Sequence, residues 1–201
     1  MRNKKLVSDL TLDGLFIAIL AILTFVPYVG FIPLGFISIT IIHIPVILGA
    51  IFLGWKSGIL YGTAFGLVSL LKAATSPVTI MDPYFVNPAI SVLPRLLFGF
   101  TAGILALLVF KNIINKNIKR VLLAVVAFLA TAFHTLYVFI ALVLFHPEFF
   151  TWEIASAFGL NMLFEALAAA ILISVLYFAL EKPFANRLLK YSNKEEVREN
   201  D

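Results

Sequence analysis

Residues 121–145, VLLAVVAFLATAFHTLYVFIALVLF, contain no lysine, arginine, aspartate or glutamate, and polar residues do not alternate with apolar ones along them. A helix needs roughly 20 mostly apolar residues to cross a bilayer. Transmembrane barrel strands are about ten residues long and alternate in polarity. The stretch therefore reads as a spanning helix. Cutting the rest of the chain at Gly/Pro clusters and charges gives a full set of predicted spans at 10–27, 36–54, 57–73, 88–110, 121–145 and 153–180. The fold class is an all-α integral membrane protein, a six-transmembrane-helix bundle. Residues 1–182 are expected to form one membrane domain, and 183–201 a cytoplasmic tail.

Composition agrees. Of 201 residues, 62% are hydrophobic and only 13% charged, whereas a soluble domain carries about 25% charged residues. This excludes a free soluble enzyme or nucleic-acid binder. With no cysteine, a disulfide framework, thiolate metal sites and a cysteine nucleophile are excluded as well.

The net charge of +4 invites the reading of a polyanion partner, but the placement of the basic residues explains it differently. Arg2, Lys4 and Lys5 precede the first span, Lys56 lies in the second loop, Lys111, Lys116, Lys119 and Arg120 in the fourth, and five more follow Glu181. The loops near 28–35, 74–87 and 146–152 have none. Positive charge is retained on the cytoplasmic side during insertion, so both termini are expected there. The first apolar run has no small-residue cleavage site after it and reads as a retained span, not a signal peptide.

Motifs for chemistry are missing. GWKSG at 54–58 lacks the upstream glycine of a phosphate loop, and no His-Glu-x-x-His occurs. His43, His134 and His146 belong to separate segments, and Ser69 and Ser91 lack the flanks of a serine nucleophile. No catalytic residue, metal site or cofactor is expected.

Polar side chains within spans are costly and mark function by default. At about 1.5 Å rise per residue, several fall at similar depth in the outer half of the bundle. Asn87, Ser91 and Arg95 recur at i, i+4 and i+8 on the fourth span, with Asn87-Pro88 reading as its cap. Thr131, His134 and Tyr137 recur on the fifth, Asn161 and Glu165 on the sixth, and His43 lies on the second. No comparable set occurs in the cytoplasmic half. The simplest account is an outward-facing pocket for one small polar molecule, with Arg95 pairing with a carboxylate or phosphate and Asn87, Asn161 and Tyr137 bonding amides or hydroxyls. The alternative is an internal Arg95–Glu165 salt bridge that joins two helices. Tyr84 and Phe85 in the loop AATSPVTIMDPYFVNP are the expected cover, unless they anchor the interface. Lys72 at the start of that loop either snorkels outward or draws in an anion.

Small residues form ridges. Gly54, Gly58, Gly62 and Gly66 recur every four residues, as do Gly99 and Gly103, which allows close helix packing. A single small-xxx-small step, Gly14 to Ala18, lies on the first span.

The step Gly14 to Ala18, the run FIPLGFISITIIHIPVILGAIFLGWKSGILYGTAFGLVSLLKA at 31–73 and FVNPAISVLPRLLFGFTAG at 85–103 resemble the substrate-binding S-components of energy-coupling factor (ECF) vitamin transporters, over about residues 10–182. Within that family they look most like the pantothenate-type members. The resemblance implies a high-affinity vitamin-binding subunit in a prokaryotic cell membrane, partnered by a transmembrane coupling protein and two ATP-binding-cassette ATPases, with Gly14 and Ala18 on the coupling-protein contact. Pantothenate has a carboxylate, an amide and two hydroxyls, which suits Arg95 with Asn87, Tyr137 and Asn161. Glu165 is discordant beside an anion, and keeps open another vitamin or precursor such as a pyridoxine or a thiamin pyrimidine. An ion-coupled carrier with Glu165 as proton carrier is the rival of another class.

Overall fold

A computed structural model of the chain describes residues 2–26, 29–33, 38–113, 115–185 and 188. Of the expected tail at 183–201, residues 186, 187 and 189–201 lie outside the described residues. In chain order the helices are α1 (Arg2–Phe25), α2 (His43–Leu53), α3 (Trp55–Thr75), α4 (Pro88–Asn112), α5 (Lys116–Phe145) and α6 (Trp152–Leu180). Strands β1 (Phe31–Pro33) and β2 (Ser38–Thr40) pair antiparallel between α1 and α2, with Phe31 opposite Thr40. Short 3-10 turns at Asp82–Val86 and Pro147–Phe149 sit in two of the connections.

The ends of the long helices follow from their sequence. Asn87 accepts a hydrogen bond from the Ala89 N–H, and Pro88 takes the first helical position, where its missing N–H costs nothing. Asn115 caps α5 through the Asn117 and Ile118 N–H groups, and Thr151 caps α6 through Ile154. Five helices, α1 and α3 to α6, are long and apolar enough to cross a membrane.

The expected span at 36–54 is corrected. Within it Ser38–Thr40 are strand, and α2 is only 11 residues long, about 16 Å at 1.5 Å per residue and short of a bilayer core of about 30 Å. The β-branched residues Ile39, Thr40 and Ile41 favour extended backbone, so the helix starts late. Every residue from His43 to Phe52 is buried. Hydropathy read this segment as lipid-facing, whereas its apolar side chains face other helices. Gly54, at φ 96°, turns α2 directly into α3, and so belongs to a bend and not to a packing ridge.

The remaining glycines close α3 against α4. A Cβ on Gly62 would lie 2.2 Å from the Arg95 carbonyl oxygen, and one on Gly58 2.4 Å from the Gly99 carbonyl oxygen. One on Gly66 would meet Val92 Cα at 2.6 Å. Backbones touch directly along this seam, which is how helices associate where lipid supplies no hydrophobic drive.

At the other end of the bundle from the seam's Lys72 terminus, α1 is held by few side chains. Phe16 stacks on Tyr61 with ring centroids 4.9 Å apart, and the fully buried Tyr61 donates its hydroxyl to Asp13 at 2.5 Å. This polar tie was not foreseen from the sequence, which placed polar groups in the outer half alone. The α5 start and α6 end are joined by Arg120 and Glu181, with Arg120 over the Phe178 ring.

Candidate functional site

A cavity of about 110 Å³ lies between α3, α4, α5 and α6, the Asp82–Val86 turn and the end of β2. This exceeds the space one ordered water needs several-fold. Its size suits a small molecule with a few functional groups.

Arg95 supplies the cationic wall. It is 8% exposed, and its Nη1 donates to the Ile90 carbonyl at 2.8 Å. The guanidinium carbon lies 4.8 Å from the centroid of the Phe85 ring and 5.6 Å from that of Phe65. Such aromatic contacts hold a cation without giving it a counter-charge. Nε is buried and meets no protein acceptor. From α3, Ser69 and Lys72 also line the cavity.

The α6 wall is acceptor-rich. Asn161 and Glu165, one helical turn apart, both border the cavity. Glu165 is 2% exposed, and one of its carboxylate oxygens accepts the Thr40 backbone N–H at 2.5 Å. That bond ties the strand pair to α6. Asn161 Oδ1 is buried without a protein donor. Arg95 and Glu165 share no hydrogen bond or ion pair among the described residues. The salt-bridge alternative is therefore replaced by two charges held apart across one cavity.

From α5 come His134, Thr135 and Val138, and Phe158 joins from the first turns of α6. Neither ring nitrogen of His134 has a protein partner. Its ring packs against Phe98 at 4.9 Å, Phe65 at 5.7 Å and His43 at 6.4 Å between centroids. The turn contributes Met81, Asp82 and Phe85. Asp82 fixes it by accepting from the backbone N–H groups of Val78 and Thr79 and from the Thr79 hydroxyl.

Of the sequence-predicted site residues, the structure thus brings together Lys72, Arg95, His134, Asn161 and Glu165. It places the others elsewhere. Asn87 is occupied as the α4 cap, and Ser91 donates to the Gly66 carbonyl at 3.1 Å inside the seam. The Tyr137 hydroxyl lies 3.0 Å from Thr101 Oγ1, between α4 and α5. Tyr84 packs on His146 at 4.7 Å between centroids. His43 lies behind His134, buried, with both ring nitrogens unpaired.

Sequence reasoning missed Thr40, Ser69, Asp82 and Thr135 as lining groups. Thr40 was hidden by reading residues 36–54 as helix, since it acts through a strand N–H. Ser69 was readable, being three residues before Lys72 on one helix face. Gly14 and Ala18 are both exposed on α1, and a Cβ on Gly14 would meet nothing within 4 Å.

Comparison with known proteins adds an independent line. The family model described as ECF transporter, substrate-specific component, matches residues 8–182. The chain is 30% identical over 202 residues to the pantothenic acid transporter PanT of Lactococcus lactis subsp. cremoris, covering 90% of this chain and 97% of that protein. It is 35% identical over 107 residues to the pantothenate transporter PanT of Leuconostoc mesenteroides subsp. mesenteroides, covering 51% of this chain and 52% of that one.

Proposed function

The chain belongs to the substrate-specific components of ECF transporters, multi-pass proteins of the prokaryotic cell membrane, and on that premise we propose that its cavity captures pantothenate. The observation that supports the reading is the pair Arg95 and Glu165, which line one small cavity and share no ion pair among the described residues. Arg95 takes the carboxylate, with Lys72 in the same cavity lining. Asn161, through its unpartnered Oδ1, and His134, through its unpartnered ring nitrogens, take the amide. Glu165 accepts a hydroxyl through the carboxylate face that the Thr40 N–H leaves free. Glu165 shares the cavity lining with Arg95, whose positive charge offsets its repulsion of an anionic ligand.

The strand pair and α2 together complete a sixth membrane segment in this reading, with both termini cytoplasmic. Non-helical backbone at membrane depth is tolerated where protein buries it, as it does α2. The exposed face of α1 with Gly14 and Ala18 meets the coupling protein, whose two ATP-binding-cassette ATPases drive release.

Binding of labelled pantothenate to the purified protein, with pyridoxine and a thiamin pyrimidine as competitors, tests the ligand. Competition by either of these and not by unlabelled pantothenate would sink the assignment. Proteoliposomes with and without the ATPase module test the class. Uptake driven by a proton gradient alone establishes the ion-coupled carrier instead.

A further inference from the structure

Pro94 lies inside α4. Proline has no N–H, so the carbonyl four residues before it loses its helical partner. For Pro94 that carbonyl belongs to Ile90, and it is the acceptor of Arg95 Nη1 at 2.8 Å. The acceptor released by one residue is filled by the side chain of the next. Ile90 acts a second time through its side chain. It is fully buried in a small apolar cluster with Val138, Ala141 and Leu142, against which Phe85 packs, and Phe85 in turn lies over the guanidinium. With one Nη1 hydrogen engaged, the two nitrogens that make no hydrogen bond among the described residues are Nε and Nη2. These form one side of the planar fork, spaced for the two oxygens of a single carboxylate.

We propose that Pro94 is a positioning residue of the anion site: by freeing the Ile90 carbonyl it anchors one end of Arg95 and presents the Nε/Nη2 edge to a ligand carboxylate. The inference rests on the cavity being the pantothenate site. An N–H at position 94 would compete for the Ile90 oxygen, weaken and redirect its bond to Nη1, and turn the fork away from its two-point geometry.

Pro94→Ala tests it. If the proline were only a bend, alanine would firm the helix and leave binding unchanged. The positioning role predicts a variant with an equal or higher Tm that binds pantothenate about tenfold more weakly by calorimetry, the loss of one charge-assisted contact. Its affinity for the analogue with an alcohol in place of the carboxylate stays within about twofold of the parent's, by the same arithmetic. A stable Pro94→Ala protein that binds pantothenate as the parent does overturns the proposal. Should that variant not fold, 15N-arginine spectra of the unaltered protein decide, with Arg95 assigned by its loss in Arg95→Lys. Two inequivalent Nη resonances are expected, and a single averaged one overturns the anchor. If the unaltered protein binds no pantothenate, the ligand reading fails while the Nη spectrum still answers for Pro94.

Discussion

Arg95 belongs to two regions that obey opposite rules. Its carbonyl oxygen sits in the glycine seam, 2.2 Å from where a Cβ on Gly62 would be, while its side chain borders the cavity. In the seam, backbones touch and the Ser91 hydroxyl is spent on the Gly66 carbonyl. In the cavity, Arg95 Nε, His134 and Asn161 Oδ1 have no protein partner at all. Buried polar atoms left unpaired cost about 1–3 kcal/mol each. The seam is therefore complete without a ligand, and the cavity is not. The difference separates residues that hold the fold from residues that wait for a molecule.

Four substitutions strain this division, and they are ordered by expected effect. Arg95→Ala removes the cationic wall and should weaken pantothenate binding by about 100-fold or more, as truncation of a buried charged contact costs 2–5 kcal/mol. Calorimetry checks it, and an unchanged affinity would return Arg95 to a structural role. Gly62→Val should instead act on stability. Overpacking costs about 1–3 kcal/mol, which for a chain of this size lowers Tm by roughly 5 °C. Residual folded protein should show its affinity reduced as well, because the α4 backbone at Arg95 is what moves. A Tm equal to the parent's would mean that the seam opens easily.

Glu165→Gln keeps the shape and the acceptor for Thr40 but removes the charge. Loss of a charge-assisted bond to a ligand hydroxyl predicts about tenfold weaker binding. An increase would show that the carboxylate repels the ligand and would favour a cationic or neutral vitamin. Tyr137→Phe should be the smallest, within about twofold, because its hydroxyl is engaged with Thr101 and distant groups contribute independently. A tenfold loss there would move the site toward α4 and α5.

The sequence was most legible where charge and proline punctuate long apolar runs. The predicted spans 57–73, 88–110, 121–145 and 153–180 correspond to α3 to α6, each ending within a few residues of the observed helix. Residues 31–54 were not legible, because hydropathy registers that a side chain avoids water and not whether lipid or protein surrounds it. In the site, depth was readable and direction was not. An i, i+4 step drifts by about 40° around a helix, so Asn87, Ser91 and Arg95 do not stay on one line. Ser91 faces α3, and the longer Arg95 reaches the cavity. The three-residue step from His134 rotates Tyr137 by about 60° the other way, onto Thr101. Pairing across the cavity was equally hidden, since nothing in the spacing of Arg95 and Glu165 records that Ile90 and Thr40 occupy them first.

The shortness of α2 also bears on how the chain is made. A nascent helix enters lipid when it can partition there by its own length, and 11 residues fall well below that threshold. The strand pair before it carries backbone groups that lipid cannot satisfy. This predicts insertion out of sequence order, with α1, α3 and the later helices released into lipid first and α2 drawn in once α3, α4 and α6 have formed the walls that enclose it. Ribosome-bound chains truncated before α4 should leave residues 29–53 open to protease, and chains extended through α6 should protect them.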